Sequence, residues 1–168
     1  MIADFLANTD PDSFHALEGD YFKDPIVFLR EEKAFLSVSA PALLEFVGVS
    51  RMVCPTEAVA NFEMGMLLTV HALRRFDAEV TDFPVNFLGT LSLFDEFFCA
   101  TQKALLCNDP RSFYARSFKA LMGKQDRYFA FVEFLSRWSE EYPSFEKGVY
   151  VMLELFWRRE EEAKAVLT

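Results

Sequence analysis

Two stretches of eighteen residues do most to limit what this chain can fold into. Residues 62–79 read FEMGMLLTVHALRRFDAE, and residues 145–162 read FEKGVYVMLELFWRREEE. In the second, Phe145, Val149, Met152, Leu153 and Phe156 fall at i, i+4, i+7, i+8 and i+11, which is one stripe of an α-helix. In the first, Phe62, Met66, Val70 and Leu73, with Val59 ahead of them, make the same stripe. The two also share residues: Phe62, Glu63, Gly65 and Arg75 recur 83 positions later as Phe145, Glu146, Gly148 and Arg158. A glycine inside a helix costs about 1 kcal/mol relative to alanine. One at the same place in both helices predicts a close backbone approach, of these helices to each other.

The echo extends beyond the pair. ALLEFV (42–47) stands against AFVEFL (130–135), and DPDSFHA (10–16) against DPRSFYA (109–115), the latter with five identities in seven. The order is the same in both halves, while the spacing differs, so the first half carries extra residues mostly within 17–41. A tandem duplication about a pseudo-two-fold axis, with halves 1–80 and 86–168, accounts for this. So does chance, because amphipathic helices built from Phe, Leu and Glu resemble one another.

Helical signals fill the rest of the chain. Asp10-Pro11 and Asp24-Pro25 each pair a cap with a first-turn proline, and Pro41 restarts a short helix through about Val47. Pro55 opens the helix that contains the first stretch, and RRF stands near its end, where cations are favoured. Asn86 caps a helix to about Cys107, and Asp109-Pro110 opens another through about Met122. Asp126 caps the next, with Tyr128, Phe131, Val132, Leu135 and Trp138 on its buried face. Ser144 caps the last. PIVFL and VSRMV are the only β-like runs, and neither has a hairpin signal beside it. The expected fold is all-α: one compact, bundle-like domain over residues 1–168, with six or seven helices and room for the two-half arrangement.

Composition narrows the function classes. With 168 residues, 52% of them hydrophobic and 20 of them Phe, the chain can build a core without disulfide or metal staples. A net charge of −9 argues against generic binding to nucleic acid or to an anionic membrane and allows a basic protein partner. The three cysteines, Cys54, Cys99 and Cys107, are odd in number and lack a C-x-x-C spacing, which fits a reducing, cytoplasmic setting. No basic leader precedes an apolar run, so neither a signal peptide nor a membrane partner is expected.

Chemistry is thinly supplied. There is no G-x-S-x-G and no glycine-rich loop after a strand. His15 and Glu18 share an i, i+3 spacing, but no pair of Glu-x-x-His helices follows, so no metal is expected. Cys54 before Pro55 is an opening for a stabilised thiolate and equally an inert cysteine. His71, in TVHALRRF, admits two readings. It is either a histidine at the edge of the core, bonded to a carboxylate, with Glu154 (its counterpart 83 positions on) as the candidate, or the axial ligand of a haem. The Phe-rich, all-α chain is similar in outline to a globin, and that resemblance implies a haem or another small apolar ligand near His71.

Protein–protein interaction carries more signal. Residues 110–128 hold Arg111, Arg116, Lys119, Lys124 and Arg127 against Asp126 alone, while residues 1–20 hold five carboxylates and no Lys or Arg. The basic segment either docks an acidic partner or a nucleic-acid phosphate, or it pairs with the acidic N-terminal part or lies solvated. Trp157 beside Arg158, in FWRR, has the composition of an interface hot spot and also that of an internal helix contact. FAFVEFLSRWSEEYPSF (129–145) resembles the helical chaperones that mature redox enzymes, over about one helix. The leading expectation is a non-catalytic protein-binding domain, of adaptor, chaperone-like or inhibitor/immunity type, with another protein or a second copy as partner.

Overall fold

A computed structural model of the chain describes residues 2–8, 24–52, 59–77, 119, 125–142 and 144–167. Among them are six helices: α1 (Ile2–Asn8), α2 (Pro25–Ser39), α3 (Pro41–Met52), α4 (Val59–Phe76), α5 (Gln125–Glu141) and α6 (Phe145–Leu167). They pack into one all-α domain, and no strand occurs among the described residues.

Local chemistry explains several boundaries. Asp24 is extended at the start of α2, its carboxylate accepts from the Val27 N–H at 3.2 Å, and Pro25 occupies the first turn. PIVFL is therefore the opening of a helix, as its cap dictates. Ala40 closes α2 by donating to Leu36 O at 2.8 Å and opens α3 by accepting from Leu43 and Leu44. Pro41 cannot donate into the preceding turn, so the chain turns here into a second helix. α3 runs on to Met52, past the expected end near Val47 and through part of VSRMV. α5 begins at Gln125, which puts Asp126 inside the first turn instead of at the cap. Ser144 flanks α6 as expected, but with a φ of 73°, in the left-handed region. Its carbonyl accepts from the Gly148 N–H at 3.3 Å. The helix expected from Pro55 is described from Val59 onward. The expected helices over 86–107 and 109–122, the segment 10–16 and all three cysteines lie outside the described residues, apart from Lys119.

The centre of the domain is the crossing of α4 and α6, the most extensive helix–helix contact described. A Cβ on Gly65 would drive into the Phe145 carbonyl and stand 3.2 Å from Val149 N. A Cβ on Gly148 would drive into the Phe62 carbonyl and stand 3.0 Å from Met66 N. The contact is reciprocal: each glycine faces the backbone of the residue three positions before the other. Backbones can come this close only where neither helix carries a side chain.

The crossing also buries more than a stripe. Every residue from Phe62 to Val70 and from Gly148 to Trp157 is buried. An amphipathic reading under-counts such helices, because the other helices wrap the sides that the crossing leaves open. α3 packs on α4 and α5 packs on α6, α2 covers α3 and α4, and α1 covers α5 and α6. Trp138 on α5 lies 4.9 Å, ring to ring, from Phe145 on α6.

Candidate functional site

Among the described residues, a polar cluster sits inside this apolar frame where α2 lies on α4. Glu32 on α2 is buried, with 5% of its side chain exposed. Its Oε1 lies 2.5 Å from His71 Nδ1 and 2.5 Å from Arg74 Nη2, and those two nitrogens are 3.3 Å apart. Helical spacing puts His71 and Arg74 one turn apart on the same face of α4. Phe28, one turn before Glu32, meets the His71 ring edge-on at 5.1 Å. The Arg74 guanidinium stacks 3.9 Å from the centre of the Phe35 ring, on the next turn of α2. Aromatic residues of α2 thus hold both cationic or aromatic groups of α4 against a single carboxylate.

The hydrogen bonds fix the protons. A guanidinium only donates, and a carboxylate oxygen accepts. With both Nη2 and Nδ1 directed at the acceptor Oε1, a proton belongs on Nδ1. Nε2 is buried and, among the described residues, has no hydrogen-bond partner; the same holds for Glu32 Oε2 and Arg74 Nε. Buried polar atoms usually find a partner. Three such atoms fall on the three residues that meet at Glu32 Oε1.

Histidine at the core edge with a carboxylate is therefore the geometry at His71, but the carboxylate is Glu32 and not Glu154. The 83-residue echo pointed to Glu154 because it compared α4 with α6. The partner instead comes from α2, which lies in the part of the chain the echo leaves unmatched. Only the presence of two acidic residues in REEK (30–33), on a helix near α4, could have signalled it.

A second buried carboxylate sits two turns up α4. Glu63 receives Lys33 from α2 and Arg51 from α3, the latter at 2.9 Å. Both cations keep 40% or more of their side chains exposed. Neighbouring residues of α2, Glu32 and Lys33, thus attach it to α4 through opposite charges.

The other expected site residues are scattered. Trp157 is 7% exposed and belongs to the core, so the internal helix contact accounts for it. Lys119 is helical and exposed. Arg127 and Arg158 lie on α5 and α6, but their side chains, like residues Arg111, Arg116 and Lys124 entire, fall outside what is described. So do His15 and Glu18. Among the described residues, no three His, Cys, Asp or Glu side chains are grouped to hold a metal ion, and no helix is long and apolar enough to cross a membrane.

No family model matches the chain, and no significant similarity to a curated protein or to a solved structure is found.

Proposed function

We propose that the protein is a protein-binding domain of the adaptor, chaperone-like or inhibitory type, and that α2 presents its docking face. The observation that supports this is the outer side of α2. Ile26 is 75% exposed and Val38 85% exposed, near opposite ends of the helix. In this reading the aliphatic side chains that α2 carries outward, while its inner face is clipped to α4 by two ion-pair clusters, are anchors for the partner. Phe129 on α5, 54% exposed, offers a second anchor. The chain's net charge of −9 favours a basic partner in a cytoplasmic setting. The partner is another protein or a second copy of the chain. In this reading the reciprocal glycine crossing descends from a duplicated half, so one chain contains a fused, two-fold pair.

The test is affinity capture from the native host with wild type and with Val38→Asp and Ile26→Asp, alongside light scattering for self-association. A partner, or a dimer, that is lost in both variants while the fold is intact supports the reading. Complexes indifferent to both substitutions would sink it. A charge-reversed set, Arg111→Glu, Lys124→Glu and Arg127→Glu, separates docking on the basic segment from docking on α2.

A second reading has its own observation. Among the described residues His71 Nε2 has no hydrogen-bond partner while Nδ1 lies on a carboxylate, an arrangement that suits an axial nitrogen ligand. In this alternative the domain is a helical sensor of haem or of a small apolar ligand beside His71. When bound, a haem would supply an iron with an open position for that nitrogen.

A further inference from the structure

We infer that α2 is a charge-latched strap: it leaves α4 as a unit, ahead of the rest of the fold, and ionic strength sets how often it does so. The device belongs to the free protein, so it stands whether or not α2 docks a partner.

The seam under α2 is built differently from the centre of the core. Of the fifteen residues of α2, only Phe28, Glu32 and Leu36 are buried, a narrow stripe with a carboxylate in the middle. Along this seam Phe28 meets the His71 ring, Glu32 meets His71 and Arg74, Lys33 meets Glu63, and Phe35 meets the Arg74 guanidinium. Each of these contacts has a charged side chain or an imidazole on at least one side. The α4–α6 crossing instead sets backbone against backbone between two long buried runs. Parting that crossing would bring a mass of apolar surface into water, which is strongly unfavourable. Parting α2 from α4 returns Glu32, Lys33, Glu63 and Arg74 to water, which hydrates ions well and so offsets much of the lost pairing. An element with few buried apolar side chains is the one expected to open below the global unfolding free energy.

The seam is also within reach of salt. Arg74 keeps 24% of its side chain exposed, Lys33 40% and Arg51 52%. The screening length falls from about 8 Å at physiological ionic strength to about 3 Å at 1 M. A pivot lies where the strap joins the fold. Ala40 leaves helical geometry, with φ −150° and ψ 65°, between the end of α2 and Pro41. Beyond it α3 is anchored by Leu43, Phe46 and Val47, all buried. Turning at Ala40 therefore lifts α2 while α3 stays on α4.

Native-state hydrogen exchange on the full chain tests this, since protection reports the free energy of each opening. Amides in the middle of α2, residues 29–36, are expected to exchange faster than those of α3, α4 and α6. Molar salt should speed α2 about 5-fold relative to α6, the scale of part-exposed ion pairs. Glu32→Gln and Glu63→Gln should each speed α2 about 10-fold, the scale of a charge-assisted hydrogen bond, with α6 protection kept. Glu31→Gln removes the same charge from an exposed position of α2 and should change its exchange by less than about 2-fold. The inference is overturned if α2 exchanges at the rate of α4 and α6 with the same salt response. It is also overturned if α3 opens together with α2, or if Glu31→Gln acts as strongly as Glu32→Gln, since bulk charge and not the latch would then control the helix. The salt series on wild type needs no variant, so a misfolded substitution leaves the test standing.

Discussion

α4 and α6 share phenylalanine and glycine at the centre of their crossing and differ at the two positions of α4 that meet Glu32. At the crossing, Phe62, Gly65, Phe145 and Gly148 form a reciprocal contact in which either helix could stand for the other. One turn and more beyond it, α4 carries His71 and Arg74 against Glu32, and α6 carries Glu154 and Trp157, both buried. Backbone proximity tolerates one residue type, so it preserves the repeat. Side-chain pairing depends on which helix lies alongside, so it does not. α4 lies against α2, and α6 lies against α1, which has seven residues.

The crossing gives the largest expected effect. Gly65→Ala or Gly148→Ala should each cost more than about 3 kcal/mol, above the usual range for overpacking, because the new Cβ meets a backbone carbonyl that no rotamer change can move. The alanine's better helix propensity, about 1 kcal/mol, offsets only part of this. Urea unfolding of the two single variants and the double variant sharpens the comparison. Both glycines guard one gap, so once either alanine has pushed the helices apart the second should cost much less than the first. Full additivity would mean that the two contacts are independent and the crossing is not a single two-fold feature.

Next comes the cluster on α2. Glu32→Ala removes the acceptor of two bonds and leaves the Arg74 cation partly buried, a loss of about 3 kcal/mol. Replacing all three residues together, Glu32→Met, His71→Leu and Arg74→Met, should recover most of it, because a buried ion pair seldom outperforms apolar packing of similar volume. If the triple variant is as stable as wild type, stability is not what keeps the cluster. A triple variant as damaged as Glu32→Ala would make the cluster structural and weaken the case for a ligand at Nε2.

The sequence revealed the central frame far better than the site. Glycines in two like stripes announced the crossing, since a buried helical glycine has few other uses, and Asp24-Pro25 announced α2 through capping chemistry. The all-round burial of α4 and α6 was not legible, because a hydrophobic stripe records the face that must be buried and says nothing of neighbours added on the other sides. For the same reason Trp157 could be read as surface or core. The His71–Glu32 pair was illegible on different grounds: its members are 39 positions apart and belong to no repeat, so no periodicity links them. Only the packing of α2 across α4 brings them together.

The smallest effect contrasts the two glutamates of the echo itself. Glu63 and Glu146 occupy equivalent positions, but Glu63 is buried between Lys33 and Arg51, whereas Glu146 is half-buried and accepts a hydrogen bond from Tyr150 on its own helix. Glu63→Gln should cost about 1.5 kcal/mol, because a buried, charge-assisted contact is lost while both cations can return to water. Glu146→Gln keeps an oxygen for the Tyr150 hydroxyl and should cost about 0.5 kcal/mol. Salt divides them further. Half-exposed cations respond to screening, with a Debye length near 8 Å at physiological ionic strength, so part of the Glu63 effect should fade in molar salt. The part of the Glu146 effect carried by the neutral Tyr150 donor should hold. Equal costs with equal salt response would mean that α2 and α3 add nothing electrostatic to α4, and the two halves would be alike where the structure makes them different.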